Sequence, residues 1–472
     1  MQAQAVSGSE FSRQRGFIER IRALSDAFLY DTGRQKMALV QTFGCQQNMS
    51  DSEKIKGMLA EMGYAQALAV EDADIVILNT CAVREHAEQR VFGNVGALKP
   101  VKARRPSMII GLCGCMMQQE HIAGKIKGSY PYVDLVFGTG ALHRLPELLY
   151  QVMTAKRRVF ALEEYGGIAE GLPIRRDGSI RAWLPISYGC NNFCTYCVVP
   201  YVRGRERSRQ PEAVLEEARS LITEGYRDIT LLGQNVNSYG ADLENGYNFS
   251  LLLREINDMQ GDFRIRFMTS HPKDLTKELI QTVAECEKVS KHIHLPFQAG
   301  SDRILKLMNR RYTKAAYLEL VNSAKAAIPG LSLTSDVIVG FPGETYEDFL
   351  ETVDIIKQVE FDNLYTFIYS KRRGTPAENM PDDLPHEEKV RRFSELLAVQ
   401  DEITSRRLKL SEGKTVCVLC EGRGKTGEGF MTGRTDAGTI VDFKAGDDTA
   451  GRFLNVEITQ AKRLMLLGHL AE

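Results

Sequence analysis

The stretch GCNNFCTYC, residues 189–197, decides the fold of this chain. Its cysteines, Cys190, Cys194 and Cys197, follow a C-x3-C-x2-C spacing that places three thiolates on one short loop. Three thiolates can bind three irons of an iron–sulfur cube and leave the fourth iron without a protein ligand. This open iron, which has no protein ligand, indicates that the cluster takes part in a chemical reaction rather than only storing electrons. The other two interpretations are a zinc site that lacks its fourth ligand and three unrelated cysteines.

Strand and helix patterns continue on both sides of this loop. The strand candidates as far as Ser370 are WLPISYG, DITLLG, RIRFMTS, KHIHLPF, LSLTSDVIVGF and NLYTFIYS, with amphipathic helical segments between them. About six strand–helix repeats are too few for a complete eight-stranded barrel, so the pattern predicts a partial (β/α)6 barrel over residues 176–406. A proline-rich connector (372–385) and a long helix (386–410) belong to its end.

An α/β domain precedes this barrel, at residues 36–151. Its short β-branched runs are MALVQTF (37–43), ADIVILNT (73–80), SMIIGL (107–112) and YVDLVFGT (132–139). Helical patterns separate them, which indicates a doubly wound parallel sheet, and Asp51 is the predicted N-cap of the first helix. Residues 1–35 form an arm that we expect to be a helix or loose. Short strands separated by Gly and Asp predict a small β-barrel at residues 409–472.

Three more cysteines follow strands of the first domain. Cys45, Cys81 and Cys115 are 36 and 34 residues apart, so no local spacing joins them. The fold prediction joins them, because the carboxyl ends of parallel strands share one edge of the sheet. Each alone is equally well explained as a buried core cysteine, but together they predict a second cluster site.

The four remaining cysteines have simpler interpretations. We expect Cys113 on the buried face of its strand, with a ligand role as the minor alternative, and Cys286 as packing on a helix. Cys417 and Cys420 are three residues apart in a predicted strand, where successive side chains point to alternate faces. They should therefore point to opposite faces of the strand rather than bind zinc together.

An open iron beside bound S-adenosylmethionine is the arrangement that generates a 5′-deoxyadenosyl radical. Polar and small residues at the predicted strand ends are suited to hold this cofactor, although each segment alone could be an ordinary βα loop. The candidate residues are Gly233, Gln234, Asn235, His294, Gln298, Asp336, Gly340 and Pro342.

Four alternating arginines follow the cysteine loop in PYVRGRERSRQ: Arg203, Arg205, Arg207 and Arg209. Guanidinium groups match phosphates and carboxylates, so the run could grip RNA or the carboxylate of the cofactor. A solvated charged edge explains it equally well.

Composition limits the partners only weakly. Sixty basic and sixty-one acidic residues give a formal charge of −1, so no global field indicates nucleic acid and only local patches could bind it. No apolar stretch reaches the roughly 18 residues of a membrane span, and the first residues lack an apolar signal core. Ten cysteines then indicate reduced thiols or metal sites in the cytoplasm.

Together these motifs resemble the radical-SAM methylthiotransferase family over essentially the whole chain beyond the arm. QTFGCQQNMSDSEK, NTCAVRE and GCMMQQ resemble the three blocks of that family's first domain, and GCNNFCTYCVVPYVRGRERSR is similar to its radical-SAM loop. Residues 409–472 look like its TRAM module, where RNA binding would rest on Arg423, Lys425, Arg434 and Arg452. The loop and the first block most resemble the branch of the family that acts on tRNA.

The resemblance implies two 4Fe–4S clusters, a radical-SAM cluster on the loop cysteines and an auxiliary cluster on the other three. One S-adenosylmethionine would methylate a sulfur attached to the auxiliary cluster, and a second would remove hydrogen from C2 of an adenosine. That adenosine would carry an N6-isopentenyl (dimethylallyl) group at position 37, beside the anticodon, in a tRNA anticodon stem-loop. A flavodoxin-like or similar electron donor and a sulfur source would be further partners.

Two alternatives remain at this point. The same chemistry could act on threonylcarbamoyl-adenosine tRNA or on a ribosomal-protein aspartate. A non-catalytic iron–sulfur protein that binds RNA is the more distant alternative, although a structural cluster gains nothing from an open iron.

Overall fold

The structure is a computed structural model that describes residues 6–82, 85–162 and 167–471. Its helices are α1 Gly8–Thr32, α2 Gln46–Glu61, α3 Glu85–Arg104, α4 Glu120–Ser129, α5 Leu145–Ala155, α6 Val199–Arg203, α7 Pro211–Thr223, α8 Phe249–Asn257, α9 Lys277–Glu285, α10 Asp302–Leu307, α11 Lys314–Ala327, α12 Tyr346–Val359 and α13 His386–Lys409. The first six strands are β1 Met37–Phe43, β2 Ala65–Gln66, β3 Ile75–Thr80, β4 Ile109–Gly114, β5 Leu135–Phe137 and β6 Val159–Ala161. The strands of the middle of the chain are β7 Arg181–Pro185, β8 Ser187–Tyr188, β9 Arg207–Ser208, β10 Asp228–Leu232, β11 Arg264–Phe267, β12 His292–His294, β13 Ser332–Val339 and β14 Asn363–Ile368. The last five are β15 Thr415–Arg423, β16 Phe430–Thr435, β17 Ile440–Lys444, β18 Phe453–Lys462 and β19 Met465–Leu470.

The first domain is a parallel sheet in the order β2-β1-β3-β4-β5-β6. Its central strand β3 is buried along its whole length, with Ile75 and Ile77 in one hydrophobic cluster and Val76 and Leu78 in another. A sheet covered on both faces, with its first strand inside, is the doubly wound arrangement that the alternation predicts. The sequence missed β2 and β6, because no run of several β-branched residues marks these two short strands.

The arm and the first helix refine the sequence predictions. Helix α1 packs against α5 with Ile21 fully buried, so the arm is helical rather than loose. The prediction of Asp51 as an N-cap is wrong, because α2 begins at Gln46 and Cys45 occupies the cap position. A single glycine separates β1 from Cys45, which leaves no loop in which Asp51 could cap the helix.

The middle of the chain forms the predicted partial barrel. Two parallel sheets, β11-β10-β7 and β12-β13-β14, join where the Ser290 N–H donates to the Ile265 carbonyl at 2.9 Å. The resulting order is β7-β10-β11-β12-β13-β14, and neither β7 nor β14 pairs with a further strand among the described residues. The barrel is therefore open between these two strands, with one large core between its outer face and the helices.

The third part is a closed barrel in the order β15-β16-β17-β19-β18. Its loop at residues 435–436 lies against the amino-terminal ends of the large barrel's strands. Arg266 donates to the carbonyls of Thr435 and Asp436 at 2.8 Å, and the Lys291 N–H donates to the Asp436 carboxylate at 2.7 Å. The small barrel thus covers the end of the large barrel opposite the carboxyl ends of its strands.

A connector links the sheet domain to the barrel through α2. Arg175 donates its N–H to the Glu53 carbonyl at 2.9 Å, and Arg176 bridges the carboxylates of Glu53 and Glu217. At Gly57 a Cβ would lie 2.2 Å from the Pro173 carbonyl oxygen, so only glycine permits this close approach.

No helix within the described residues combines the length and the apolar composition needed to cross a membrane.

Candidate functional site

The cysteine loop lies between β8 and α6, at the carboxyl end of the barrel strands. Gly189 introduces it with φ +77°, and a Cβ there would lie 2.1 Å from the Arg205 carbonyl oxygen. Backbone bonds hold the loop, from the Cys190 N–H to Gly204 and from the Thr195 N–H to Met308, both at 3.1 Å. The loop is fixed by the fold around it, so the three sulfurs are positioned in advance.

Burial first, and the nearby Cys194 sulfur after it, raise the pKa of the Cys190 thiol to about 11 and that of the Cys197 thiol to about 12. Because the thiolate is the form that binds metal, cluster binding here must release protons. Three sulfurs close enough to affect one another on one loop fit the ligand set of a 4Fe–4S cluster with one open iron.

Arg310 is a buried neighbour of this loop that sequence reasoning missed. Its Nη1 donates to the Cys194 sulfur at 3.6 Å, and its Nη2 donates to the Pro296 carbonyl at 2.6 Å. Hydrogen bonds to a cluster sulfur tune the reduction potential of the cluster. No local motif marks Arg310, because it reaches the loop from more than a hundred residues away.

The second set of cysteines meets at one edge of the doubly wound sheet. Cys81 and Cys115 directly follow β3 and β4, and Cys45 follows the adjacent strand β1 after a single glycine. A hydrogen bond between the side chains of Cys45 and Cys81 lowers the pKa of Cys45 to about 6. Cys45 is exposed, whereas Cys81 and Cys115 are buried. The prediction that sheet order brings these three residues together is confirmed.

Neither set is shaped like the site of a single metal ion. Among the described residues, no three His, Cys, Asp or Glu side chains converge on a point where one ion could sit. A cluster differs in that each thiolate binds its own iron. Each set offers three thiols, one for each of three irons, and this donor chemistry fits a cluster.

Arg203 connects the two cysteine sets. Its Nε donates to the Cys115 sulfur at 3.1 Å and its Nη2 donates to the Asp51 carboxylate at 2.8 Å, with both side chains buried. Val198 and Val202, which follow the loop, pack with Cys115 in one buried cluster. The segment after Cys197 therefore lies directly against a ligand candidate of the other set.

The remaining cysteines lie where the sequence predicted. Cys113 is inside β4 and belongs to the core cluster of the sheet, where burial raises its pKa well above the ordinary value. Cys286 is buried at the end of α9. Cys417 is exposed and Cys420 is buried, so they do point to opposite faces of β15.

Among the cofactor candidates after β10, Asn235 is buried and donates to the Asp274 carboxylate at 2.7 Å. A Cβ at Gly233 would lie 2.5 Å from the Ser187 hydroxyl, and Gln234 is half-buried beside it. Glu206, which sequence reasoning missed, accepts a hydrogen bond from the Ser238 hydroxyl in the same region. Burial raises the pKa of Glu206 to about 7.

His294, Gln298 and Asp336 come together at the ends of β12 and β13. The Nε2 of His294 lies 3.5 Å from the Asp336 carboxylate, and its Nδ1 lies 2.9 Å from the Thr334 hydroxyl. Gln298 has φ +68°, a strained conformation that is typical of functional sites, and donates its N–H to the Asp336 carbonyl. A cofactor role for these residues remains a prediction.

Gly340 and Pro342 are also at the end of β13, but both are buried. The Gly340 N–H donates to the Glu344 carboxylate at 3.0 Å, and the Lys389 side chain from α13 covers the glycine. Their predicted closeness to an adenine ring stays a prediction.

The four alternating arginines have different environments. Arg203 is buried as described, and Arg209 is buried with its guanidinium on Glu170 and Glu217, so neither presents a free cation to RNA. Arg207 is half-buried and donates to the Arg203 carbonyl. Arg205 alone of the four is exposed, with its guanidinium over the Phe193 ring at 5.2 Å.

The cationic residues of the small barrel also divide into two kinds. Arg423 is paired with Asp447, and Arg434 lies 3.2 Å from the Glu421 carboxylate. Lys425 and Arg452 are exposed. Paired cations carry less attraction for a phosphate than unpaired ones, and an RNA contact by any of the four stays a prediction.

Comparisons with known proteins match all three parts of the chain. The Radical SAM superfamily matches residues 184–356, the Uncharacterized protein family UPF0004 matches residues 37–138 and the TRAM domain matches residues 409–471. Among solved structures, the radical S-adenosylmethionine methyltransferase TsrM from Kitasatospora setae superposes with a TM-score of 0.54. It is 15% identical and the match covers 73% of this chain and 77% of that one, so it shows the fold alone.

Curated relatives match nearly end to end. A tRNA-2-methylthio-N(6)-dimethylallyladenosine synthase from Acetivibrio thermocellus is 52% identical over 98% of this chain and 97% of its own length. One of the same name from Caldicellulosiruptor saccharolyticus is 47% identical over the whole of both chains. The radical-SAM family implies S-adenosylmethionine and a 4Fe–4S cluster as cofactors. The chain therefore belongs to the radical-SAM methylthiotransferases, in the family of tRNA-2-methylthio-N(6)-dimethylallyladenosine synthases.

Proposed function

We infer that this enzyme attaches a methylthio group to C2 of an N6-isopentenyl (dimethylallyl) adenosine at position 37, beside the anticodon of tRNA. The observation that carries this function is the Arg203 contact, which puts a residue of the radical-SAM loop region on Cys115 of the second cysteine set. Two such centres side by side suit a reaction that uses both a radical and a sulfur. The names of the curated relatives support the substrate.

Each cysteine set holds one 4Fe–4S cluster in this proposal. When bound, the clusters and S-adenosylmethionine supply the radical, the sulfur and the methyl group. The residues of the chain bind, orient and enclose these groups. Arg203 compensates the negative charge of the thiolates around Cys115, and Arg310 does the same at Cys194. The burial of both arginines excludes water from the sulfurs and strengthens these contacts.

The RNA reaches the site past the exposed side of the cysteine loop. Phe193 and Tyr201 meet edge to face at 6.1 Å, with the Arg205 guanidinium over Phe193. Tyr201 is 45% exposed. Aromatic rings beside an arginine are suited to a single-stranded loop, because bases stack on the rings while the cation meets phosphates. The small barrel contributes Lys425 and Arg452 to the same RNA.

The reaction also needs an electron donor, which we propose to be flavodoxin-like, and a sulfur source. The cysteine thiols of the protein must stay reduced to bind the clusters. This requirement supports a location in the cytoplasm, which is a reducing compartment.

The test uses anaerobically reconstituted full-length protein with S-adenosylmethionine, sulfide and dithionite. Its substrates are anticodon stem-loop RNAs that carry isopentenyladenosine, threonylcarbamoyl-adenosine or plain adenosine, and mass spectrometry of the digested nucleosides is the measurement. We expect a 2-methylthio product from the isopentenyl RNA. A product from the threonylcarbamoyl RNA alone would refute the proposed substrate.

Two neighbouring cysteines provide a matched pair of variants. Cys115→Ala should abolish the methylthio product but keep 5′-deoxyadenosine formation, because the radical-SAM loop is intact. Cys113→Ala, two residues away inside β4, should keep both activities. Equal iron content in the Cys115→Ala variant and the wild type would contradict a second cluster.

A further inference from the structure

Two buried asparagines lie beside the second cysteine set. Strand β3 is apolar along its first four residues and then turns polar at Asn79 and Thr80, the two residues before Cys81, which are buried like the rest of the strand. Asn48, three residues after Cys45 in α2, is buried as well. A buried polar group destabilises the fold unless its hydrogen bonds are made, so the partners of these amides show what they hold together.

The two amides bond to each other and to the backbone. The Nδ2 of Asn48 donates to the Asn79 Oδ1 at 3.0 Å and to the Thr80 carbonyl at 3.2 Å. In return, the Nδ2 of Asn79 donates to the Asn48 carbonyl at 2.8 Å and to the Ser52 hydroxyl at 3.0 Å. These four bonds join α2 to the end of β3. We call Asn48 and Asn79 the amide pair.

The network of the amide pair extends to all three cysteine-bearing segments. The Cys45 thiol donates to the Asn48 Oδ1 at 3.2 Å. The Thr80 hydroxyl donates to the Cys113 carbonyl at 2.6 Å, which ties β3 to the end of β4, two residues before Cys115. One set of hydrogen bonds therefore holds the backbone beside each cysteine of the second set.

Two glycines allow the amide pair to lie this close to the cysteine-bearing backbone. A Cβ at Gly44 would lie 2.7 Å from the Asn48 Oδ1, and a Cβ at Gly114 would overlap the Asn79 Oδ1. Each glycine directly precedes a cysteine of the set. A larger residue at either position would push the backbone away from the amides, so the approach depends on glycine.

We propose that the amide pair positions the second cysteine set for its cluster, with Asn48 orienting Cys45 and Asn79 holding Asn48. This inference rests on the proposed function, in which that set binds a 4Fe–4S cluster. Cys45 depends most on such a holder, because it is exposed whereas Cys81 and Cys115 are buried. Groups that fix the orientation of a metal ligand strengthen metal binding without binding the metal themselves. The two asparagines are thus positioning residues rather than ligands.

The test uses the full chain with Cys190→Ala, Cys194→Ala and Cys197→Ala, which leaves only the second cysteine set to bind a cluster. In this parent protein, Asn48→Leu and Asn79→Leu each remove one amide and keep a side chain of similar size. Competition with a chelator after anaerobic reconstitution measures the affinity for iron. The EPR spectrum of the reduced cluster reports its surroundings, and the urea midpoint of the metal-free protein reports folding.

Each leucine variant should weaken the affinity for iron by roughly 10- to 100-fold, the range for groups that orient a metal ligand. The EPR spectrum of the remaining cluster should differ from that of the parent, because the Cys45 sulfur is no longer held in one orientation. Gln14→Leu is the matched control, since Gln14 is a buried amide of the same domain that bonds to Glu147 between α1 and α5. It should lower the urea midpoint but leave the iron affinity and the EPR spectrum unchanged.

The outcomes separate this inference from the proposed function. Iron affinity and an EPR spectrum equal to those of the parent in both leucine variants overturn the amide pair and leave the proposed function intact. An equal loss of iron in Gln14→Leu also overturns it, because a general loss of stability then explains the effect. A parent protein that binds no cluster contradicts the proposed function and this inference with it. If Asn48→Leu does not fold, the smaller and polar Asn48→Ser takes its place.

Discussion

Replacing Arg203 by methionine tests the connection between the two cysteine sets. The substitution keeps most of the side-chain length but removes the guanidinium that donates to Asp51 at 2.8 Å and to Cys115 at 3.1 Å. Asp51 would remain in α2 as a buried carboxylate without its partner, since its side chain is only 8% exposed. Removing one member of a buried ion pair costs about 3–5 kcal/mol of folding free energy.

The assay is urea unfolding of the metal-free protein under reducing conditions, with circular dichroism as the measurement of the folded fraction. With an m-value of about 2–3 kcal/mol per molar urea, this loss of folding free energy should lower the midpoint of the first unfolding transition by roughly 1–2 M urea. The double variant Arg203→Met with Asp51→Asn removes both charges, so it should recover most of the loss. Arg423→Met is the control, because the exposed Arg423–Asp447 pair should leave the midpoint unchanged.

Two results would refute this reasoning. A single Arg203→Met variant with the wild-type midpoint would mean that Asp51 is not left as a buried charge. A double variant that is no more stable than the single one would mean that the loss comes from packing rather than from the unpaired carboxylate.

Three further predictions concern the loop and its surroundings. Cys194→Ala should abolish 5′-deoxyadenosine formation yet retain about half of the wild-type iron, because the second cysteine set still binds; iron analysis that finds none would argue against two independent clusters. Gly189→Ala should lose iron from the loop and cost more than about 1 kcal/mol, because alanine at φ +77° is strained and its Cβ meets the Arg205 carbonyl. Gly178→Ala, with open space around it, should behave like the wild type. Burial raises the pKa of Glu206 from its usual 4.5 to about 7, so the folded protein binds this proton more tightly than the unfolded chain does. Stability should therefore fall as pH rises from about 4.5 to about 7, and Glu206→Gln should remove that fall in urea midpoints measured across this range; the same slope in both proteins would exclude Glu206 as its source.

Patterns with a short range were read correctly from the sequence. β1 and the start of the final helix α13 match the predicted residues, because period-two and helical patterns are local properties of five or more residues. The edge strands β2 and β6, of two and three residues, were missed because no run of several β-branched residues marks them. At Asp51 the sequence predicted a local role that the structure does not show. Its residue type suits a helix cap, but tertiary packing uses it in mid-helix as the partner of Arg203.

The roles of the four alternating arginines also depend on tertiary packing rather than on their local pattern. Alternation alone predicted one common role for Arg203, Arg205, Arg207 and Arg209. The structure places Arg203 and Arg209 in buried ion pairs and leaves Arg205 exposed, because α6 and the two-residue strand β9 turn neighbouring side chains toward different domains.

The sequence by itself determined the loop of Cys190, Cys194 and Cys197, since its ligands lie within eight residues and need no distant contact to meet. It also determined the order of the three parts of the chain. Only the tertiary structure decided that Cys45, Cys81 and Cys115 meet and that Arg203 and Arg310 reach the sulfurs. These contacts depend on strand order, on register and on which face of an element is buried, and local spacing encodes none of the three.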